Sequence, residues 1–479
     1  MYRGRVIVGE PDSPPVPIHC YTCAIPVRGD VHINAPVHPV GQALSALENP
    51  APTDVQPLRV ALLGYRSAPF SGGQGVYLKY LSRALKSLGH DVSVVSGPPY
   101  PHLDAGISLH KLPSLDLYAH GLGAITWAQF WRDPLARREW WSKLTGGFVE
   151  PWTFGERARR WVLANADNFD VIHDNQTLSD GILALQTAGI PLVTTIHHPI
   201  TPDRQLAIES EGVWYRKLLV RRWYDFLDMQ QRVAKQLNHI VTVSGASSRD
   251  IVADFGVDPR RVAVMYNGVD TELFRPLEDR PRKTNQIMAI ASSDTPTKGL
   301  QILLPAVARL ISAGKQLELV LVGKPKPDGE TARLIRRLGL KDHIQWYRDL
   351  EQEQLVELYA QSTIAVVPSM YEGFGLPAVE ALACGIPLIS SDGGALAEVV
   401  GDAAIVVPAG DAPALASAIQ ELLESPEHRA KLGRYGRERA EREFSWQVCA
   451  QRLVGHYRSV IQSTTVKPCF QSASRETPC

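Results

Sequence analysis

The chain has 479 residues, with 50 basic and 50 acidic side chains, 44% hydrophobic and 21% charged residues. That length exceeds one ordinary core and suits two large domains plus tails, while the composition excludes wholesale disorder and the even charge balance excludes the broad basic footprint of a dedicated nucleic-acid binder. The six cysteines at 20, 23, 384, 449, 469 and 479 lack the density of a disulfide scaffold, no run approaches about 18 uninterrupted apolar residues, and the apolar patch in MYRGRVIVGEPDSPP is too short for a signal-peptide core, so a folded cytoplasmic protein is expected.

Residues 1–57 are rich in Pro and His, show no sustained period and end in ENPAPTDVQP; they read as a flexible extension. His19, Cys20, Cys23, His32 and His38 lie within it, but one CxxC without a second pair is a weak zinc signal, and no metal site is expected. From residue 58 short apolar runs alternate with helical stretches: LRVALLGY (58–65), DVSVVS (91–96), DVIHDN (170–175), PLVTTIH (191–197), HIVTVS (239–244) and VAVMYNG (262–268). This is the signature of a doubly wound parallel sheet. The polar RPLEDRPRKTN (275–285) reads as a hinge, and a second series follows: QIMAIAS (286–292), LELVLVG (317–323), IQWYRDL (344–350), IAVVPS (364–369), PLISSD (387–392) and AAIVVP (403–408). An α/β fold is expected, with two Rossmann-like doubly wound parallel-sheet domains over 58–275 and 285–445 facing across a cleft. A final helix should occupy 446–462 and a loose tail 463–479.

Ligands of open parallel sheets bind beyond the carboxyl ends of the strands, and the unusual residues collect there. After the first strand, Gly72, Gly73 and Gly75 lead into VYLKYLSRALKSLG. Their amides and the helix N-terminus suit a phosphate, or form a plain strand-to-helix turn. The dinucleotide fingerprint GxGxxG is not matched, because Leu78 stands at the third glycine. His197 and His198 end PLVTTIH, as site residues or as satisfied hydrogen-bond donors. Lys298, in SSDTPTKGL, offers an ammonium to phosphate oxygens or is an exposed loop lysine. The sharpest feature is EGFGLPAVE, Glu372 to Glu380. Its two carboxylates bracket a tight turn at a strand exit, Pro377 sits near a helix start, and Gly373 and Gly375 let backbone amides approach a ligand. Such carboxylates accept paired hydrogen bonds from the vicinal hydroxyls of a ribose or hexose.

On these residues the chain resembles the retaining glycosyltransferases of family four, with the fold called GT-B, over roughly residues 58–460. The resemblance implies that Glu372 contacts a donor sugar, that the backbone of Gly373, Phe374, Gly375 and Leu376 reaches its hydroxyls, and that Glu380 binds the nucleotide ribose. It further implies that Lys298 binds the donor phosphates, that the glycine loop near Gly73, with Gly75, approaches the pyrophosphate, and that His197 sits near the reacting end of the sugar; His198 and Asp203 are candidate acceptor-side residues. The final helix should cross back onto the first domain. Two positions depart from the pattern: Ser293 stands where the family often has a phosphate-clamping arginine, and Arg348 where many members have a glycine near the nucleobase.

The expected reaction is retaining hexosyl transfer from a nucleotide-diphosphate sugar by front-face attack, without metal or further cofactor, onto a glycan, lipid-linked or small-molecule acceptor. Six of ten tryptophans fall between Trp127 and Trp161, interleaved with Arg132, Arg137, Arg138 and Arg160, and residues 214–237 repeat the theme. This mixture suits an acceptor lid, contact with the inner face of a membrane, or ordinary helix packing with snorkelling arginines. The alternatives are a non-catalytic sugar-nucleotide binder, an epimerase or phosphorylase of the same architecture, and, disfavoured by the missing fingerprint, an oxidoreductase.

Overall fold

The computed structural model describes residues 56–69, 73–291, 294–323, 326 and 328–465. The extension with Cys20 and Cys23 therefore lies outside the described residues, as do Gly72 and Ser293. Two parallel sheets form the frame. The first contains β1 (Arg59–Gly64), β2 (Asp91–Ser96), β3 (Ser108–Lys111), β4 (Val171–Asn175), β5 (Leu192–Ile196), β6 (Ile240–Thr242) and β7 (Val262–Val264), in the order β3-β2-β1-β4-β5-β6-β7. The second contains β8 (Gln286–Ala291), β9 (Glu318–Gly323), β10 (Ile344–Tyr347), β11 (Ile364–Val367), β12 (Leu388–Ser391) and β13 (Ile405–Val407), in the order β10-β9-β8-β11-β12-β13. Strands such as IAVV of β11 are buried throughout, because helices cover both faces of each sheet and neither face can be polar.

Strand β3 is absent from the sequence-based series. Its four residues, SLHK, carry one aliphatic side chain and none is fully buried; only the parallel register Ser93↔Ser108 to Ser96↔Lys111 identifies it. An edge strand of this kind has no apolar run to read. The order of each sheet reverses once, between β1 and β4 and between β8 and β11. Those switch points open the crevices in which ligands of doubly wound sheets sit.

The last helix, Trp446–Thr465, runs three residues past the expected start of the tail. Its Ala450, Leu453, Val454, Tyr457 and Val460 join Val60, Leu62, Leu78 and Leu81 in one cluster on the first sheet. The chain enters it through a π-helical turn, Ala440–Phe444, a common device for bending a helix, and Ser445 forms a parallel bridge with Val269. At the centre of this interface the Tyr457 hydroxyl bonds His173 Nδ1 on β4, and His173 Nε2 lies 2.6 Å from Thr195 Oγ1 on β5. Burial pushes His173 down to about 3, so the ring is neutral. Tyr457→Phe keeps the ring and leaves a buried imidazole nitrogen unpartnered. It should cost about 1–3 kcal/mol, read as a lower urea midpoint of unfolding, and an unchanged midpoint would show that this bond contributes nothing.

Candidate active site

The second-domain half of the site is built where β8 and β11 end. Lys298 closes the short turn Pro296–Lys298 beyond β8, and the chain leaving β11 passes Ser369 to reach Glu372. These turns meet because Gly299 has no side chain: a Cβ there would lie 1.9 Å from the Pro368 carbonyl oxygen. Glu372 Oε1 accepts hydrogen bonds from Lys298 Nζ and Ser369 Oγ, both at 2.8 Å. Lys298 is thus no free loop lysine; its side chain and that of Glu372 are only 13% and 14% exposed. At low exposure such a pair survives by mutual compensation, and a ligand able to partner both groups can replace it.

Gly375, at φ 95°, caps the helix Leu376–Ala383, with Pro377 at its second position. A residue with a Cβ would be strained in this left-handed conformation, so the glycine lets the loop drop straight into the helix. The Phe374 side chain is buried against Tyr266 and Phe444, which leaves its backbone as the part that can meet a ligand. Leu376 is exposed at the helix start. Glu380 is the helix's fifth residue, half-buried. Its Oε2 accepts a bond from the Tyr359 hydroxyl at 3.3 Å, and its packed surroundings push the carboxyl up to about 7, against the smaller downward pull of Tyr359.

The first-domain half faces it. His197 follows β5, its backbone N–H donating to Gln176 Oε1 at 2.8 Å, while Gln176 Nε2 donates to the His198 carbonyl at 2.9 Å. Gln176, at φ 56°, therefore clamps the two-histidine turn from the end of β4. His197 Nε2 lies 2.8 Å from Asn175 Oδ1. Asn175 Nδ2 donates to the Gln74 carbonyl at 3.4 Å, which turns Oδ1 toward the ring and makes Nε2 the protonated nitrogen. Tyr77 stands edge-on to the imidazole, centroids 4.8 Å apart. Burial, with a smaller contribution from His198, lowers His197 to about 3, so it is neutral with Nδ1 unprotonated. Gly73 caps the helix Gln74–Ser87 without a side-chain cap bond, and Gly75 is buried in its first turn, so this helix start presents backbone amides to an anion. His198 is exposed. Asp203 belongs to the helix Thr201–Ser210, but its side chain lies outside the described residues.

The two halves touch at Gly373. Its carbonyl accepts bonds from Ser244 Oγ at 2.6 Å and Ser247 Oγ at 3.0 Å, and a Cβ on Gly373 would lie 3.9 Å from both the His197 carbonyl oxygen and His198 Cβ. Glu398 accepts bonds from the Gly245 N–H at 2.9 and 3.0 Å and from the Tyr266 hydroxyl at 3.1 Å. The fold thus brings Glu372, Gly373, Lys298, His197 and His198 to one cleft. Asn175, Gln176, Ser247, Ser369 and Tyr77 are added to the expected set. Asn175 was available as a signal, since DVIHDN ends in polar residues at the same sheet edge as the histidines; Ser369 and Ser247 carried none.

Among the described residues no helix is long and apolar enough to cross a membrane. The family described as Glycosyltransferase Family 4 matches residues 71–273, and that described as Glycosyl transferases group 1 matches residues 276–439. The chain is 47% identical over 410 residues to the MMP alpha-(1->4)-mannosyltransferase of Mycolicibacterium hassiacum, covering 84% of this chain and 98% of the relative. It is 28% identical over 434 residues to D-inositol 3-phosphate glycosyltransferase 2 of Catenulispora acidiphila, covering 85% and 96%. Among solved structures the fold is similar to sucrose-phosphate synthase of Thermosynechococcus elongatus, with TM-score 0.60 and 23% identity over 85% of this chain and all of the other. It is also similar to Anabaena HepE in complex with UDP-glucose, with TM-score 0.59 and 18% identity over 84% and 100%. The chain therefore belongs to the family-four, group 1 glycosyltransferases of the GT-B fold, and it is a hexosyltransferase.

Proposed function

We propose that the protein transfers a hexose, by its similarity to the mannosyltransferase a mannose, from a nucleotide-diphosphate donor to a glycan acceptor on the cytoplasmic side, with retention and without a metal or further cofactor. The observation that carries this is the Lys298–Glu372–Ser369 cluster at one switch point, facing the His197–His198 turn. With donor bound, Lys298 exchanges the Glu372 carboxylate for the diphosphate and offsets the charge that grows on it as it leaves. Glu372 then accepts from hydroxyls of the transferring sugar, Glu380 accepts from the ribose, and the helix start at Gly73 and Gly75 faces the same phosphates. The bond from the anomeric carbon to the phosphate oxygen breaks and a bond to the acceptor oxygen forms on the same face. The acceptor's proton passes to the leaving phosphate oxygen. Neutral His197, fixed by Asn175 and Gln176, positions the reacting end and takes no proton. Ser293, lacking the charge of an arginine, leaves Lys298 as the main cation on the phosphates.

Glu372→Ala and Lys298→Ala should each lower kcat by about 10²–10³-fold in proteins that remain folded by circular dichroism, while saturating chelator leaves the wild-type rate unchanged. Near-normal transfer by Glu372→Ala would sink this assignment, and donor binding without turnover in the wild type would favour a non-catalytic sugar-nucleotide binder.

The state of Glu380 gives a pH dependence. Its raised carboxyl, at about 7, is protonated below that value and can accept from both ribose hydroxyls only above it. Calorimetric affinity for the nucleoside diphosphate should therefore rise between about pH 6 and pH 8, and Glu380→Gln should flatten the profile. Equal wild-type affinities at the two pH values would remove Glu380 from ribose binding.

A second reading, contact with a lipid surface, is favoured by the helix Trp214–Trp223. Trp214 is 74% exposed, Tyr215, Leu218 and Leu219 are also exposed, and Arg216, Lys217 and Arg221 lie among them, the composition of an interfacial helix. Wild-type protein should cosediment with anionic phospholipid vesicles at low salt, and Trp214→Ala with Leu218→Ala should abolish it; equal sedimentation of the two proteins would dismiss this reading.

A further inference from the structure

A second concave site lies away from the Lys298–Glu372 cluster. Two insertions rise from the carboxyl edge of the first sheet, residues 112–170 after β3 and residues 197–239 after β5. They pack together where Trp223 stacks on Phe148, centroids 5.4 Å apart, and meets Tyr118 edge-on at 5.0 Å. Between them is a cavity of about 340 Å³, inside the range of about 300–1,000 Å³ typical of small-molecule sites.

Its apolar wall is aromatic: Trp141, Phe148, Trp152 and Phe226. Its polar wall consists of charged groups that are already paired. Arg232 donates to both Asp180 oxygens, at 2.7 and 3.2 Å, and Arg222 donates to Asp225 at 2.6 Å. The remaining guanidinium, Arg138, lies 3.6 Å from the centroid of the Trp152 ring and fixes its plane. Paired charges make a poor trap for an anion but leave carboxylate lone pairs and guanidinium N–H groups at the rim for a neutral ligand rich in hydroxyls.

From Trp141 the aromatic surface continues outward as a chain of ring contacts. Trp141 lies 6.3 Å from Trp140, Trp140 5.8 Å from Phe130, Phe130 5.5 Å from Trp131, and Trp131 stacks parallel on Trp127 at 6.1 Å. Trp127, Trp131 and Trp141 are 77%, 65% and 62% exposed. The scaffold beneath is tied down by charge: Arg157 pairs with Glu139 under the helix Pro134–Leu144, and Arg66 reaches Glu150 at 2.7 Å and Asp116 at 3.4 Å.

We infer that this cavity and the aromatic path from Trp141 to Trp127 form a remote subsite that holds the body of an oligosaccharide acceptor whose end lies at His197. The inference rests on the glycan-acceptor reading above. Flat aromatic faces suit the apolar C–H faces of pyranose rings, and the paired Asp and Arg groups suit the hydroxyl edges. Several such faces beside a pocket, with Trp127, Trp131 and Trp140 grouped around Phe130, offer more stacking positions than a single sugar can use. A lipid headgroup would need free guanidinium groups, whereas those of Arg222 and Arg232 in the cavity are held by Asp225 and Asp180.

The test compares α-(1→4)-linked mannose oligomers of two and eight units as acceptors. In the wild type the octamer should have the lower KM, and Trp141→Ala and Trp127→Ala/Trp131→Ala should raise the octamer KM by about tenfold. Both should leave kcat and the dimer KM unchanged, with Trp141→Phe restoring the octamer value. Equal KM values for dimer and octamer in the wild type, or variants that raise both together, would overturn the subsite. If neither oligomer is a substrate, the acceptor reading fails by itself. Saturation-transfer NMR with the octamer then decides the subsite: a transfer signal that disappears in Trp141→Ala supports it, and no signal with the wild type refutes it. Vesicle binding that vanishes in Trp127→Ala/Trp131→Ala while the octamer KM stays fixed would reassign the surface to lipid.

Discussion

The backbone carbonyl of Gly373 is the point at which the two halves of this site meet. It receives the hydroxyls of Ser244 and Ser247 from across the cleft, and Ser244 Oγ also accepts the Ser247 N–H at 2.9 Å to cap its own helix. The loop that presents Glu372 is thereby fixed relative to the His197–His198 turn. These two hydrogen bonds are neutral and contribute about 0.5–1.5 kcal/mol net each, and beside them the junction carries charge-assisted bonds from the Gly245 N–H to Glu398 and from the Tyr371 hydroxyl to Asp250. An enzyme that admits a ligand between two domains needs contacts of this kind, which define the closed geometry and are broken one by one on opening.

The electrostatics follow the same logic. Glu372 and Lys298 satisfy one another in the cleft at 2.8 Å, so neither is an orphan charge before a ligand arrives, and a donor carrying both hydroxyls and phosphates can substitute for each partner at once. On the opposite wall, burial keeps His197 and His173 neutral. Neutral imidazoles can be held by Asn175, Tyr457 and Thr195 without adding a cation that would compete with Lys298 for the diphosphate. His173 further connects the crossing helix to the sheet beneath the site, and Tyr77, which touches His197, also meets Trp446 at the start of that helix, centroids 5.7 Å apart. The return of the chain onto the first domain is thus part of the wall behind the histidine.

Much of this was legible in the sequence because it rests on local pattern. Every strand except β3 falls within one of the runs read from the sequence, and Glu372, Lys298 and His197 stand in the segments that follow strand ends, where chain topology sends them to one edge. β3 was not legible, because an edge strand of the composition SLHK has no hydrophobic signature. Nor were Ser369, Ser247 and Gln176. Ser247 and Gln176 act through residues distant in sequence, Gln176 with an unusual backbone angle besides, φ 56°, and Ser369 acts through the fold of the turn that returns Glu372 to it; no periodicity records any of these. The burial that raises Glu380 and lowers His197 is likewise a property of packing, invisible until the surrounding helices are placed.

The division between legible and illegible residues has a structural cause. The proposed donor groups lie on short turns between strand and helix, where sheet geometry restricts position tightly and few residue types fit, as Gly299 beside the Pro368 carbonyl illustrates. The aromatic and basic side chains of the first domain lie instead on two long segments, 112–170 and 197–239, which pack on the sheet through Phe154, Ala158, Val162, Val233 and Ala234 and carry their tryptophans and arginines on the parts that stand away from it. The exposed parts of such segments can change composition without disturbing the core that their buried faces join. If the segment from Glu372 to Glu380 holds the donor as proposed, a fold of this kind can keep one donor geometry while the exposed surface of these segments is rebuilt for different acceptors.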